Sequence, residues 1–133
     1  MHKGKILVVD DEPLILTFFR RLFEGIGYDV KTAQDGPEAL ALVGKETFDI
    51  VYTDLVMPEM NGAELCKQIK GIAPRTIVIL LSGHPGHISK YVLDFLKAGG
   101  RDEILRKPVT EEEILKTTAK VMQEIEKGGG HAN

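Results

Sequence analysis

Short apolar runs alternate with longer stretches in which apolar residues recur every three or four positions. Lys5-Ile6-Leu7-Val8-Val9 is a continuous β-branched run, as expected of a strand buried on both faces. Pro13 suits the first turn of a helix, and Ile15, Phe18, Phe19, Leu22, Phe23 and Ile26 follow at helical spacing, with Gly25 and Gly27 marking its end. Residues 28–33 read as a second strand. Asp35-Gly36-Pro37 opens a second helix, bearing Ala39, Leu40 and Val43. A third strand, residues 48–53, runs up to Asp54, and the loop Met57-Pro58-Glu59-Met60-Asn61-Gly62 leads into a helix with Leu65, Ile69 and Ile72. Residues 76–81 form the most apolar strand. After the loop 84–87 comes a helix with Ile88, Val92, Phe95 and Leu96, closed by Gly99 and Gly100. A short fifth strand, 103–106, stops at Lys107-Pro108. Thr110-Glu111-Glu112-Glu113 is a capping box that starts a last helix with Ile114, Leu115, Val121, Met122 and Ile125.

Five strands and five helices in strict alternation predict an α/β fold, a five-stranded parallel sheet with right-handed crossovers and helices on both faces. One domain over residues 4–126 accounts for the pattern, and residues 127–133, with Gly128-Gly129-Gly130, read as a flexible C-terminal tail. The 133 residues are 43% hydrophobic and 28% charged, the balance of a globular domain. A net charge of -3 disfavours broad nucleic-acid binding, which needs a basic surface. No apolar run is long enough to span a bilayer, and the basic start Met1–Lys5 precedes too short a strand to be a signal peptide. The single cysteine, Cys66, excludes an internal disulfide and a cysteine-based zinc site. A reduced, cytoplasmic domain is expected.

The polar residues gather where the predicted strands end. Asp10 and Asp11 follow the first, Asp54 the third, Ser82 the fourth and Lys107 the fifth. In the flavodoxin-like strand order 2-1-3-4-5, these ends meet at the switch point where open α/β sheets bind ligands. Taken singly they say little: an Asp after a strand is often a helix cap, and most surface lysines are simply solvated. Taken together they describe a chemistry. Three carboxylates in one pocket repel, and a hard divalent cation such as Mg²⁺ relieves that while leaving one carboxylate free to attack phosphorus. Lys107 offers a point charge to a phosphoryl oxygen, and the Ser82 hydroxyl a hydrogen bond.

The runs Ile6–Pro13, Asp54–Gly62, Leu80–Gly83 and Lys107-Pro108 resemble the receiver domains of bacterial response regulators, over roughly residues 4–126. The resemblance implies that Asp54 is phosphorylated by a sensor histidine kinase or a phosphotransfer protein. It implies that Asp10 or Asp11, with Asp54 and the backbone carbonyl of Val56, holds Mg²⁺. Ser82 and Lys107 contact the phosphoryl group, and the Lys107–Pro108 bond is expected to be cis. It also implies an output surface on helix four, strand five and helix five, here including Tyr91, Phe95 and Ile104, as a site for an output protein or a homodimer. Ile104 stands where many receivers carry an aromatic residue that moves with the hydroxyl. Val56 and His84, each two residues beyond a site residue, stand at positions that flank the path to the phosphoryl group in the family; either they tune the access of water to it, or His84 is simply an exposed loop histidine. His84 and His87 make only a weak metal pair.

Other classes fare worse. A phosphohydrolase with an Asp nucleophile commonly carries a second Asp two residues on, where this chain has Val56. A receiver-like module that is never phosphorylated has no use for the full set of acids, hydroxyl and lysine. A nucleotide-binding domain would lead from its first strand into a glycine loop rather than Asp-Asp-Glu-Pro. A signalling phosphoacceptor, not a turnover enzyme, is the expectation. With no output domain after the last helix, the chain reads as a stand-alone regulator, a phosphorelay shuttle or a fragment of a longer regulator.

Overall fold

The structure, a computed structural model, describes residues 4–83 and 88–131. Strands β1 (Lys5–Val9), β2 (Asp29–Ala33), β3 (Ile50–Asp54), β4 (Ile77–Ser82) and β5 (Ile104–Arg106) alternate with helices α1 (Pro13–Gly25), α2 (Gly36–Val43), α3 (Gly62–Ile72), α4 (Ile88–Lys97) and α5 (Glu111–His131). All strand pairs are parallel, and the order is β2-β1-β3-β4-β5, as expected.

Strand alternation divides the core in two. Ile6, Val8, Ile50, Tyr52, Ile79 and Leu81 point to one face and pack with Phe19 and Phe23 of α1 and Ile114, Val121 and Met122 of α5. Leu7, Val9, Val51, Val78 and Leu80 point to the other and pack with Val43 of α2, Leu65, Cys66 and Ile69 of α3, and Phe95 of α4. Burial on both faces explains why the inner strands β1, β3 and β4 read as largely apolar runs, while the edge strands β2 and β5 carry exposed Lys31 and Arg106. Side chains start three helices: Asp35 accepts from the Glu38 N–H at 2.9 Å, Asn61 from the Glu64 N–H at 2.9 Å, and Thr110 from the Glu113 N–H at 3.1 Å.

Three details depart from the expectations. Asp54 and Ser82 are the last residues of their strands rather than the first beyond them, because parallel pairing continues through Asp54↔Leu81 and Ser82↔Arg106. Helix α5 runs on to His131, past the expected end at Glu126, although each glycine costs a helix about 1 kcal/mol relative to alanine. Phe95, assigned above to the output surface, is fully buried, because α4 turns it onto β4 and α3.

Candidate functional site

Asp10 follows β1 directly, and its amide donates to the Ala33 carbonyl at 3.1 Å, extending the pairing of β1 with β2 by one rung. The side chain is thereby held at the rim of the sheet with no exposed surface. Its Oδ1 accepts the Glu12 N–H at 2.9 Å, and its Oδ2 accepts from Lys107 Nζ at 2.7 Å. Asp11 is the exposed member of the acid pair. Asp54, at the end of β3, is 7% exposed, and its Oδ2 stands 3.5 Å from Lys107 Nζ. Carboxylate oxygens of Asp10, Asp11 and Asp54 all lie within 4.8 Å of one another.

Lys107 reaches both acids because its strand is carried along β4. The Lys107 amide donates to the Ser82 carbonyl at 2.7 Å, one step beyond the last paired residues, and the Lys107–Pro108 bond is cis. Gly83 lies beneath the lysine stem, where an added Cβ would sit 3.5 Å from Lys107 Cδ. Ser82 is 5% exposed at the end of β4. On the far side of β3, Gly62 closes the loop: its amide donates to the Leu55 carbonyl at 2.8 Å, and a Cβ there would come within 2.6 Å of the Asp54 carbonyl oxygen. Only glycine permits that approach. Thr53 secures the same carbonyl by donating its hydroxyl at 3.0 Å.

Burial pushes the Asp54 carboxyl above its usual range; the Lys107 ammonium opposes that and the Asp10 charge adds to it. Burial also works against the Lys107 charge, but the hydrogen bond to Asp10 and the nearby Asp54 outweigh it and hold the lysine above its ordinary value. One cation thus faces three acids. A hard divalent ion fits this set of oxygen donors, since it would offset the charge that Lys107 leaves unbalanced.

The structure therefore gathers Asp10, Asp11, Asp54, Ser82 and Lys107 at one rim. Val56 lies just outside, half-exposed in the loop after β3. His84 and His87 fall outside the described residues. A cleft of about 480 Å³ opens over Asp54 and Lys107, walled by Ile15, Phe18 and Phe19 of α1 and by Pro108 and Val109. Sequence reading missed the part α1 plays here: its aromatics have helical spacing, which signals core, and nothing local reveals that the first two turns of the helix also wall a cleft. The Lys107–Asp10 contact joins residues 97 positions apart, so only the sheet order could have revealed it.

Known proteins share these features. Residues 6–119 match the family model described as the response regulator receiver domain. The alginate biosynthesis transcriptional regulatory protein AlgB of Pseudomonas aeruginosa is 34% identical over 121 residues, which are 91% of this chain and 26% of that protein. The alkaline phosphatase synthesis transcriptional regulatory protein PhoP of Bacillus subtilis is 36% identical over 110 residues, 83% of this chain and 45% of that protein. The chain thus spans about a quarter to a half of the length of these relatives. Among solved structures, a CheY-like response regulator receiver domain protein from Methanospirillum hungatei superposes with a TM-score of 0.88 at 30% identity, covering 94% of this chain and 98% of that one.

Proposed function

Because the chain belongs to the response regulator receiver domain family of two-component signalling, we propose that Asp54 is its phosphoacceptor. The observation that carries the reading is the Lys107 ammonium held between Asp10 and Asp54, 2.7 and 3.5 Å away, beside a third carboxylate. The donor is a phosphohistidine on a sensor kinase or phosphotransfer protein. An Asp54 carboxylate oxygen attacks phosphorus, the P–N bond breaks with its electron pair returning to the imidazole, and that imidazole takes up a proton from solvent. Transfers of this kind depend on positioning and on neutralising the equatorial oxygens. Lys107 meets one such oxygen, and the Ser82 hydroxyl donates to another.

Receiver domains bind Mg²⁺ at an acidic pocket. In this chain Asp10, Asp11 and Asp54, with the Val56 carbonyl, would hold it. Mg²⁺ supplies charge neutralisation between carboxylates and phosphoryl oxygens. The chain acts as a signalling phosphoacceptor in the cytoplasm, assisting only its own phosphorylation and dephosphorylation. Its modified form shifts a conformational equilibrium read by an output protein or by a second copy at the α4–β5–α5 face, where Tyr91 and Leu93 are exposed. Direct nucleic-acid or membrane binding is not part of the reading; among the described residues no helix is long and apolar enough to cross a membrane.

Incubation with acetyl phosphate and Mg²⁺ tests it. Intact-protein mass spectrometry should find one added phosphoryl group on Asp54, absent without Mg²⁺ and in Asp54→Asn. No added mass, together with no spectral change on adding beryllofluoride and Mg²⁺, refutes the assignment.

A further inference from the structure

Tyr52 lies two residues before Asp54 on β3, so the two side chains leave the same face of the sheet. Its ring has no exposed surface and packs against both Phe19 and Phe23, with centroids 6.1 and 5.8 Å away and planes inclined by 18° and 16°, the two phenylalanine rings lying 6.0 Å from each other. The hydroxyl crosses the layer to α5, where it shares a 2.5 Å hydrogen bond with the hydroxyl of Thr118, itself fully buried. Phe19, one member of this cluster, also lines the cleft over Asp54 and Lys107. A continuous packed path therefore runs from the cleft through Phe19 and Tyr52 to the middle of α5.

Packing alone does not call for the two hydroxyls. A Phe and a Val would fill the same space without desolvating polar groups. What the hydroxyl pair adds is a sharp dependence on position. A hydrogen bond weakens steeply over a few tenths of an ångström and with angle. Once it breaks in an apolar core, it leaves two buried hydroxyls unsatisfied. The bond therefore ties the placement of α5 on β3 more tightly than apolar contact alone would, so a displacement at one end of the contact carries a cost at the other.

The geometry points to Tyr52 and Thr118 as positioning residues that link the state of Asp54 to the placement of α5 through their shared hydrogen bond. Neither touches the reacting atoms. The inference rests on Asp54 being the phosphoacceptor and adds the route by which its modification reaches a helix surface.

Hydrogen exchange of the α5 amides, with those of α2 and α3 as internal reference, is compared in the full chain with and without beryllofluoride and Mg²⁺. Beryllofluoride should change α5 exchange in the wild type. Tyr52→Phe and Thr118→Val should each reduce that change about threefold while beryllofluoride still binds. The double variant should lose no more than either single one, and Thr118→Ser, which keeps the hydroxyl, should retain the wild-type response. A merely structural role would speed exchange in the reference helices as much as in α5. If Tyr52→Phe does not fold, the contrast between Thr118→Val and Thr118→Ser decides. Uptake of beryllofluoride with an undiminished α5 response in the variants overturns the coupling alone. Failure of the wild type to take up beryllofluoride overturns the phosphoacceptor role and the coupling with it.

Discussion

At the scale of single residues, the site is a contest between burial and charge. Asp54 has a raised pKa, so its ionisation is harder in the folded chain than in the unfolded one. The stability this group allows is fully present below its unfolded pKa and is lost as pH rises through the folded value. Asp54→Asn should therefore raise the melting temperature at pH 7 in Mg²⁺-free buffer, by a few degrees if the relief is about 1 kcal/mol. Near pH 3, where the acid is protonated in both states, calorimetry should find the gain gone. Lys107→Met leaves two buried carboxylates without their cation. Urea unfolding in Mg²⁺-free buffer should show a loss of about 3 kcal/mol. Titration calorimetry should show tighter Mg²⁺ binding, because the competing ammonium is removed. Cys66 is a simpler case: burial pushes its thiol up to about 11. A thiol reagent at pH 8 should label it only as the chain opens, at a rate that climbs with urea. Identities at this scale were legible because Asp10, Asp54 and Ser82 each end a recognisable apolar run, and Lys107-Pro108 stops the short fifth strand. Partners were not, since the hydrogen bonds Lys107–Asp10 and Tyr52–Thr118 span 97 and 66 residues.

At the scale of elements, local chemistry sets where each helix starts, and longer-range packing sets where it sits. The Thr110–Glu113 box is reciprocal: Glu113 Oε1 accepts from the Thr110 amide at 3.4 Å and from its hydroxyl at 3.1 Å. Thr110→Ala should cost about 1 kcal/mol in urea unfolding, with the loss of protection concentrated at the start of α5. Farther along, Arg101 grips Glu124 with paired contacts of 2.9 and 3.0 Å, and it also holds Glu103 at 3.0 Å. This clamp ties the α4–β5 connection to α5. The capping box could be read from four adjacent letters, whereas the clamp could not, because Glu124 lies 23 residues from Arg101, on a different element. Ile104 packs partly buried against the α2–α3–α4 side of the core, away from the Tyr52–Thr118 bond on the opposite face. A residue without a ring at position 104 is therefore compatible with a route to α5 that passes through β3.

At the scale of the whole molecule, the alternation of strands and helices was readable because each apolar run is short and bounded by turn residues. The strand order came from precedent, since periodicity alone does not say which strands are neighbours. Two cores share one sheet, so neither can melt without exposing the other. Urea unfolding followed by far-ultraviolet circular dichroism and by tyrosine fluorescence should give one coincident transition. The placement of groups also sorts the molecule by role. The acids, hydroxyl and lysine of the site sit at strand ends or just beyond them. Among the described residues, the large exposed apolar side chains other than Val56, namely Leu14, Phe18, Ile72, Tyr91 and Leu93, belong to helices. Substitutions on the helix exteriors can therefore accumulate while the groups at the strand ends stay as they are, so a lineage of such chains can change its surface and its pocket at different rates.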